Sequence, residues 1–194
     1  MWKKYKSQFQ KWYHNHFETL TKEQQLDNLD INNHKLKIRG INYFLARAQV
    51  TDITEMIDVQ RSVSNGNTTW DEVTFEKELT RLDDRLYLII RKNDKLLAYA
   101  GCSMNCETKE AHITNLAVLP NYQGRGLGEF LMRTLLYKAR YMNMKEITLE
   151  VRINNSSAQK LYKKLGFKQY NIKHNYYSSS NEDALDMRVI LSND

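Results

Sequence analysis

Three groups of residues have the types and spacing to do chemistry. The first is the loop Gln123-Gly-Arg-Gly-Leu-Gly128, which follows the apolar stretch Leu116-Ala-Val-Leu119 and Pro120. Proline has no amide hydrogen to donate, so it ends a strand ladder. After the loop, Leu127, Phe130, Leu131, Leu135 and Met142 recur at helical spacing. A strand thus passes through a glycine-rich turn into a helix, whose first amides lack internal partners and sit at the positive end of its dipole. Glycines at 124, 126 and 128 let a ligand approach the backbone. That is a cradle for an anion, with a diphosphate as its natural guest; the plainer reading is a strand-to-helix turn. The second group is Glu150 in the alternating run Ile147–Arg152. Thr148, Glu150 and Arg152 share the face opposite Ile147, Leu149 and Val151. Mid-sheet, facing a cleft, Glu150 would be desolvated and its pKa raised, as suits a base near neutral pH; otherwise it is an ordinary charge on a wet strand face. The third is Tyr162 on the next helix. It is a core aromatic by default, but near enough in sequence to reach the same cleft and protonate a leaving thiolate.

The loop fits neither the lysine-bearing triphosphate loop nor the dinucleotide fingerprint Gly-x-Gly-x-x-Gly, because its order is Gly124-x-Gly126-x-Gly128. Two cysteines, Cys102 and Cys106, placed on one strand, would stand about 13 Å apart. That is too far for a disulfide, and a lone C-x₃-C pair is poor zinc evidence. Both read as buried reduced thiols, in keeping with a cytoplasmic protein, and no metal is expected. No apolar run approaches the roughly 18 residues of a membrane span, and no secretory signal is expected at the N-terminus. The net charge of +6 suits an acidic or RNA-rich neighbourhood without implying nucleic-acid binding.

The elements that must position these groups follow from the pattern. Residues 1–20 place Trp2, Tyr5, Phe9, Trp12, Tyr13, Phe17 and Leu20 on one helical stripe, with Lys3, Lys4, Lys6 and Lys11 mostly off it. Such a helix packs on its own domain, docks on a ribosome or other protein, or lies on a membrane. Residues 21–36 read as a polar linker or short exposed helix, so 1–36 form an extension and 37–194 the compact domain. Strands are expected at Ile41–Gln49, Leu86–Arg91, Leu96–Met104, Ala111–Leu119, Glu146–Arg152, Phe167–Lys173 and Ala184–Leu191, with a tight turn at Asn93-Asp94-Lys95. Asp52 can cap a helix carrying Ile53, Met56, Ile57 and Val63. Asp71 can cap another, and Asn154 or Asn155 one that stops at Gly166. Ser64–Thr69 reads as a loop. The result is an α/β (α+β) chain with a mixed sheet of six to seven strands and helices on both faces.

Gln123-x-x-Gly126-x-Gly128 resembles the acyl-coenzyme A loop of the GCN5-related N-acetyltransferases (GNAT). The resemblance sharpens through Leu149-Glu150-Val151-Arg152-x-x-Asn155-x-x-Ala158-x-x-Leu161-Tyr162-x-x-Leu165-Gly166-Phe167. It continues in Asn175-Tyr176-Tyr177 and Glu182-Asp183-Ala184-x-x-Met187. There the chain is similar to the RimI-like branch, the ribosomal-protein-alanine N-acetyltransferases, over roughly 40–191. The resemblance implies the GNAT fold and direct acetyl transfer from acetyl-coenzyme A to a protein N-terminus, the N-terminal alanine of a small-subunit ribosomal protein; the alternatives are transfer to lysine, another N-terminus or a small amine, and a catalytically idle coenzyme-binding module that docks through its N-terminal helix. It implies Glu150 as base and Tyr162 as acid. It puts Gln123, Gly124, Arg125, Gly126, Leu127 and Gly128 on the diphosphate, and Leu116, Ala117 and Val118 on the pantetheine arm, with the Val118 amide polarising the thioester. Asn155 would touch the same arm, while Trp70, Tyr176 and Tyr177 would wall the peptide side; Glu182-Asp183 read first as a solvated loop and otherwise as negative charge on that side. Two departures, Thr69 before Trp70 and Lys173-His174 before Asn175, fall on the acceptor side.

Overall fold

The computed structural model describes residues 33–64, 70–177 and 180–191. The expected aromatic helix at 1–20 and most of the linker lie outside these residues, as does Thr69. Two strands, β1 (His34–Ile38) and β2 (Ile41–Arg47), precede α1 (Ile53–Val63) and α2 (Glu72–Leu79). A meander follows: β3 (Arg85–Lys92), β4 (Lys95–Asn105) and β5 (Glu110–Val118). The chain then alternates through α3 (Leu127–Tyr141), β6 (Glu146–Arg152) and α4 (Ser156–Lys164), and closes with β7 (Lys168–Tyr177) and β8 (Glu182–Ile190). The sheet has eight strands in the order β1-β2-β3-β4-β5-β6-β8-β7. All neighbours are antiparallel except β5 and β6.

The count of six to seven strands is corrected by β1, which starts ahead of Lys37. In His34-Lys-Leu-Lys-Ile38 the lysines alternate with Leu36 and Ile38, both buried. Five residues of period two, two of them lysine, read as linker until β2 pairs with them. A second correction concerns the thiols. Cys102 is buried in β4, where burial pushes its pKa up to about 12, but Cys106 is exposed in the turn beyond Asn105. A third concerns Asp52. It stands at the helix start, but its carboxylate accepts from the Gln49 amide (2.8 Å) and pairs with Arg91 (2.6 Å) rather than capping α1. Asp71 caps α2 as expected, accepting from the Thr74 amide at 2.8 Å.

Helices cover both faces. The larger core joins α3 to the inner residues of β1, β2, β3, β4, β5, β6 and β8; the smaller lies under α1 and α2 around Met56, Phe75, Tyr87 and Tyr99. β5 switches allegiance partway along. Ala111 and Ile113 face the larger core, whereas beyond residue 114 it is Leu116 and Val118 that do so, with Ala117 in the smaller. The parity changes because the pairing with β4 skips from Cys102–Ile113 to Gly101–Asn115, leaving Thr114 in a bulge. Gly101 makes room for it. A Cβ there would stand 2.2 Å from the Tyr87 ring and 2.6 Å from Thr114 Oγ1.

The bulge bends β5 away from its parallel neighbour. β5 and β6 pair only from Glu110–His112 to Glu146–Thr148. Beyond that, Ile113–Val118 and Leu149–Arg152 diverge, leaving a gap in the sheet between two strands. Among the described residues no helix is long and apolar enough to cross a membrane.

Candidate active site

The glycine loop closes one end of the gap. After β5, Leu119 donates to Leu97 O (2.9 Å) and a single 3₁₀ turn, Pro120–Tyr122, leads into Gln123. Gly126 stands at the N-terminal cap of α3 with φ +93°, and Gly124 also lies at positive φ. An L side chain at Gly126 would be strained by that dihedral and would press on Ile38 Cγ2 at 3.2 Å. The first helical bond runs from Phe130 N to Gly126 O, so the amides before it point out of the helix unpaired by it. The acid in this first turn, Glu129, would repel an anion were it free. It is held instead by Lys164 (2.6 Å) and Arg133 (3.0 Å). Gln123 Nε2 donates to Val118 O at 3.1 Å, tying the loop to the strand end.

Glu150 lies on β6 where the strands part, on the face away from the larger core. Its Oε2 is 3.2 Å from His112 Nε2 on β5, and its Oε1 is 2.5 Å from Lys173 Nζ on β7. Desolvation raises its pKa, as the sequence implied. Hydrogen bonds and charge from His112 and Lys173 outweigh burial and hold the carboxyl down to about 2. The expected raised pKa is therefore reversed, by partners that strand pairing brings from elsewhere in the chain. Lys173 also lies 3.2 Å from Asp186 Oδ1, and Asp186, almost fully buried, is the cross-strand partner of Glu150. Two carboxylates side by side thus share one ammonium. His112 is fixed at its other nitrogen, with Nδ1 2.9 Å from Thr148 Oγ1. Where the Thr148 hydroxyl donates to Nδ1, Nε2 carries the proton that faces the carboxylate.

Tyr162 approaches from the opposite face. Asn155 caps α4 through Ala158 N (3.1 Å), and the helix ends in a Schellman motif: Phe167 N donates to Tyr162 O and Gly166 N to Lys163 O, both 3.0 Å. The accompanying contact is Tyr162 on Phe167, ring centroids 5.8 Å apart. Helix end and ring contact together fix Tyr162, buried in the larger core. Burial, with a smaller contribution from Tyr177, raises its pKa above the ordinary tyrosine value assumed from sequence. It remains protonated over the working range and is a hydrogen-bond donor first. Asn155 spends its side-chain oxygen on the cap.

Tyr176 and Tyr177 gather beside Glu150, as edge-on neighbours with centroids 5.1 Å apart at the end of β7, which runs beyond the expected Lys173. Lys173 Nζ lies 5.1 Å from the Tyr176 ring and Arg152 stacks 3.8 Å over Tyr177. Trp70 instead packs its ring on Phe75 and Tyr87. The charges of Glu182 and Asp183 are already engaged, the first by Arg152 and Asn154, the second by His174 and the Asn175 amide. Sequence reasoning missed His112, Asp186 and Asn115. The last has a buried Nδ2 with no hydrogen-bond partner among the described residues, next to the Thr114 bulge. The available signal was a polar side chain flanked by apolar ones, as His112 is by Ala111 and Ile113 and Asp186 by Leu185 and Met187. Among the described residues no group of three or more His, Cys, Asp or Glu side chains is placed to hold a metal.

The Acetyltransferase (GNAT) family profile matches residues 51–167, more than half of the chain, and begins after the β1–β2 hairpin. The Mycobacterium tuberculosis N-alpha-acetyltransferase RimI is 33% identical over 139 residues, 71% of this chain and 85% of the relative. The Escherichia coli K12 ribosomal protein bS18-alanine N-acetyltransferase is 34% identical over 125 residues, 63% of this chain and 82% of the relative. The crystal structure of the ribosomal-protein-S18-alanine N-acetyltransferase from Escherichia coli superposes with TM-score 0.69 at 28% identity, covering 78% of this chain and 96% of that one.

Proposed function

The chain belongs to the GNAT acetyltransferase family and is an N-acetyltransferase, and on that premise we propose that it moves the acetyl group of acetyl-coenzyme A directly onto the α-amine of a protein N-terminus. The acceptor in this reading is the N-terminal alanine of ribosomal protein bS18, the substrate named for its Escherichia coli relative, which would place the enzyme in the cytoplasm. The observation that carries the reading is the gap between β5 and β6, with an anion cradle at one end and a partnered carboxylate, Glu150, on its wall. The cradle fits the coenzyme's diphosphate: its loop turns at two left-handed glycines and its one nearby acid is neutralised. The open edge of Leu116–Val118, paired with β4 on one side only, fits an extended polar arm. The coenzyme supplies the activated thioester.

The chain's own groups divide the proton work. A protein α-amine has a pKa of roughly 7.7–8.0, so a useful fraction is neutral at working pH without help. Glu150 accepts a hydrogen bond from that amine, directly or through a water, and its charge favours the cation that forms on attack. A carboxyl held at about 2 does not keep the proton. The proton leaves to solvent, beside His112, whose side chain is 35% exposed and whose Nε2 lies 3.2 Å from the carboxylate. The Val118 amide is the donor assigned to the thioester oxygen, and Tyr162 the donor assigned to the departing sulfur. Tyr162→Phe is expected to lower kcat about 10²-fold with KM for acetyl-coenzyme A nearly unchanged; full turnover would remove Tyr162 from the chemistry.

The acceptor is tested by mass spectrometry with three peptides: an Ala-Arg N-terminus of ribosomal type, the same peptide blocked at its N-terminus but carrying lysines, and an unrelated N-terminus. Acetylation of the first alone supports the reading. Acetylation of the blocked peptide would make the enzyme a lysine acetyltransferase, and transfer to none of them would reject the ribosomal acceptor. The segment 1–36, with its basic aromatic stripe, is carried in this proposal as an extension that docks the enzyme near its acceptor on the ribosome, and 37–194 as the catalytic domain, its sheet now begun at His34.

A further inference from the structure

The hairpin ahead of the family match has a two-residue turn, Arg39-Gly40, closed by the Ile38–Ile41 pair. Both turn residues lie in the left-handed region, at φ 49° and 81°. Such turns favour asparagine followed by glycine, so the backbone gives no reason for arginine at 39. The side chain does. Arg39 Nη1 donates to the carbonyl of Gly124 at 2.7 Å, across the mouth of the glycine loop. Its Nε lies 3.6 Å from where a Gly126 Cβ would stand, beside Ile38 Cγ2 at 3.2 Å. The hairpin therefore rests on the loop and sets a guanidinium on its rim. The bond to Gly124 uses one of the five N–H donors of an exposed side chain. A second guanidinium, Arg125, stacks 4.9 Å over Tyr122 on the same loop.

We infer that Arg39 is a phosphate-binding residue, through which the N-terminal hairpin clamps a phosphate group of the coenzyme, the diphosphate or the ribose 3′-phosphate, onto the loop 123–128. This rests on the coenzyme reading above. A planar fork with spare donors suits a phosphate better than an ammonium would. The strained turn residue also has a use under this reading, because a turn built for backbone alone would carry Asn-Gly.

Arg39→Asn separates the two roles, since asparagine suits the turn and removes the guanidinium. Coenzyme A and 3′-dephospho-coenzyme A would each be titrated calorimetrically into the full-length chain and this variant, at low and high salt. The variant is expected to melt at or above the parent temperature while binding coenzyme A about tenfold more weakly, with a flatter salt dependence. A deficit that disappears with the dephospho compound assigns Arg39 to the 3′-phosphate, and one that persists assigns it to the diphosphate. Equal affinity for coenzyme A, or a loss with unchanged salt dependence, would overturn the inference and leave Arg39 as a brace for the loop. If the parent chain bound no coenzyme A at all, the coenzyme reading itself would fall.

Discussion

Glu150→Gln is expected to cost about 10²–10³-fold in kcat/KM while leaving the pH at which activity rises unchanged. Glutamine keeps the shape of the side chain and one acceptor oxygen toward His112 or Lys173 but removes the charge that draws the amine's proton. The pH argument follows from the direction of the shift. The folded carboxyl sits near 2, below its ordinary value. Its contribution to stability is therefore complete above the unfolded pKa and is lost only as pH falls toward about 2. Over roughly pH 5–9 Glu150 is always ionised, so the rising limb of kcat/KM belongs to the acceptor amine, near 8 for an α-amine and near 10.4 for a lysine. Steady-state rates across that range for both forms test this. A glutamine variant with full turnover at every pH would show that Glu150 is not the base. A wild-type limb near 5 that vanished in the variant would show that His112 and Lys173 do not hold the carboxyl down.

Gly101→Ala is expected to have the largest effect on stability, about 3 kcal/mol or more. The added methyl would arrive 2.2 Å from Tyr87 Cε1 and 2.6 Å from Thr114 Oγ1. Neither can yield. Tyr87 is buried and its hydroxyl is shared between Glu78 Oε2 (3.0 Å) and Thr114 Oγ1 (2.9 Å), with Glu78 held in turn by Arg85 at 2.7 Å. Relief means either moving the ring out of the smaller core or erasing the bulge, which would turn Leu116 and Val118 off the larger core. For a chain of this size the loss corresponds to a fall of roughly 10 °C in Tm, read by a thermal melt. A melt within a degree or two of wild type would show that β4 and β5 can slide past one another here.

Local signals were legible and long-range ones were not. The glycine loop, the Asp71 and Asn155 caps, the stop at Gly166 and the inward alternation of Ile147, Leu149 and Val151 each depend on a few adjacent residues, and the structure has them where the sequence put them. The base candidate was placed on the correct strand face, yet the direction of its pKa was wrong. His112 and Lys173 reach it through the β5–β6 pairing and the β6-β8-β7 order, neither of which the spacing along the chain encodes. Lys173 was noticed only as a departure in the peptide wall, when its first contact is Glu150 itself. The Thr114 bulge was hidden because an inserted residue looks like any other until the partner strand shows the skip. β1 was hidden because a five-residue strand with alternating lysines has too little apolar content to stand out from a polar linker.

A sheet of eight strands ordinarily exposes two lateral edges. Among the described residues this one has four, because the divergence of β5 and β6 opens two more inside the sheet, along Ile113–Val118 and Leu149–Arg152. Unpaired strand edges are templates for other extended chains. The outer ones carry common safeguards, lysines at 35 and 37 on β1 and a bulged, mostly exposed β7. An extended ligand arm seated in that gap, as proposed above, would cover both inner edges at once.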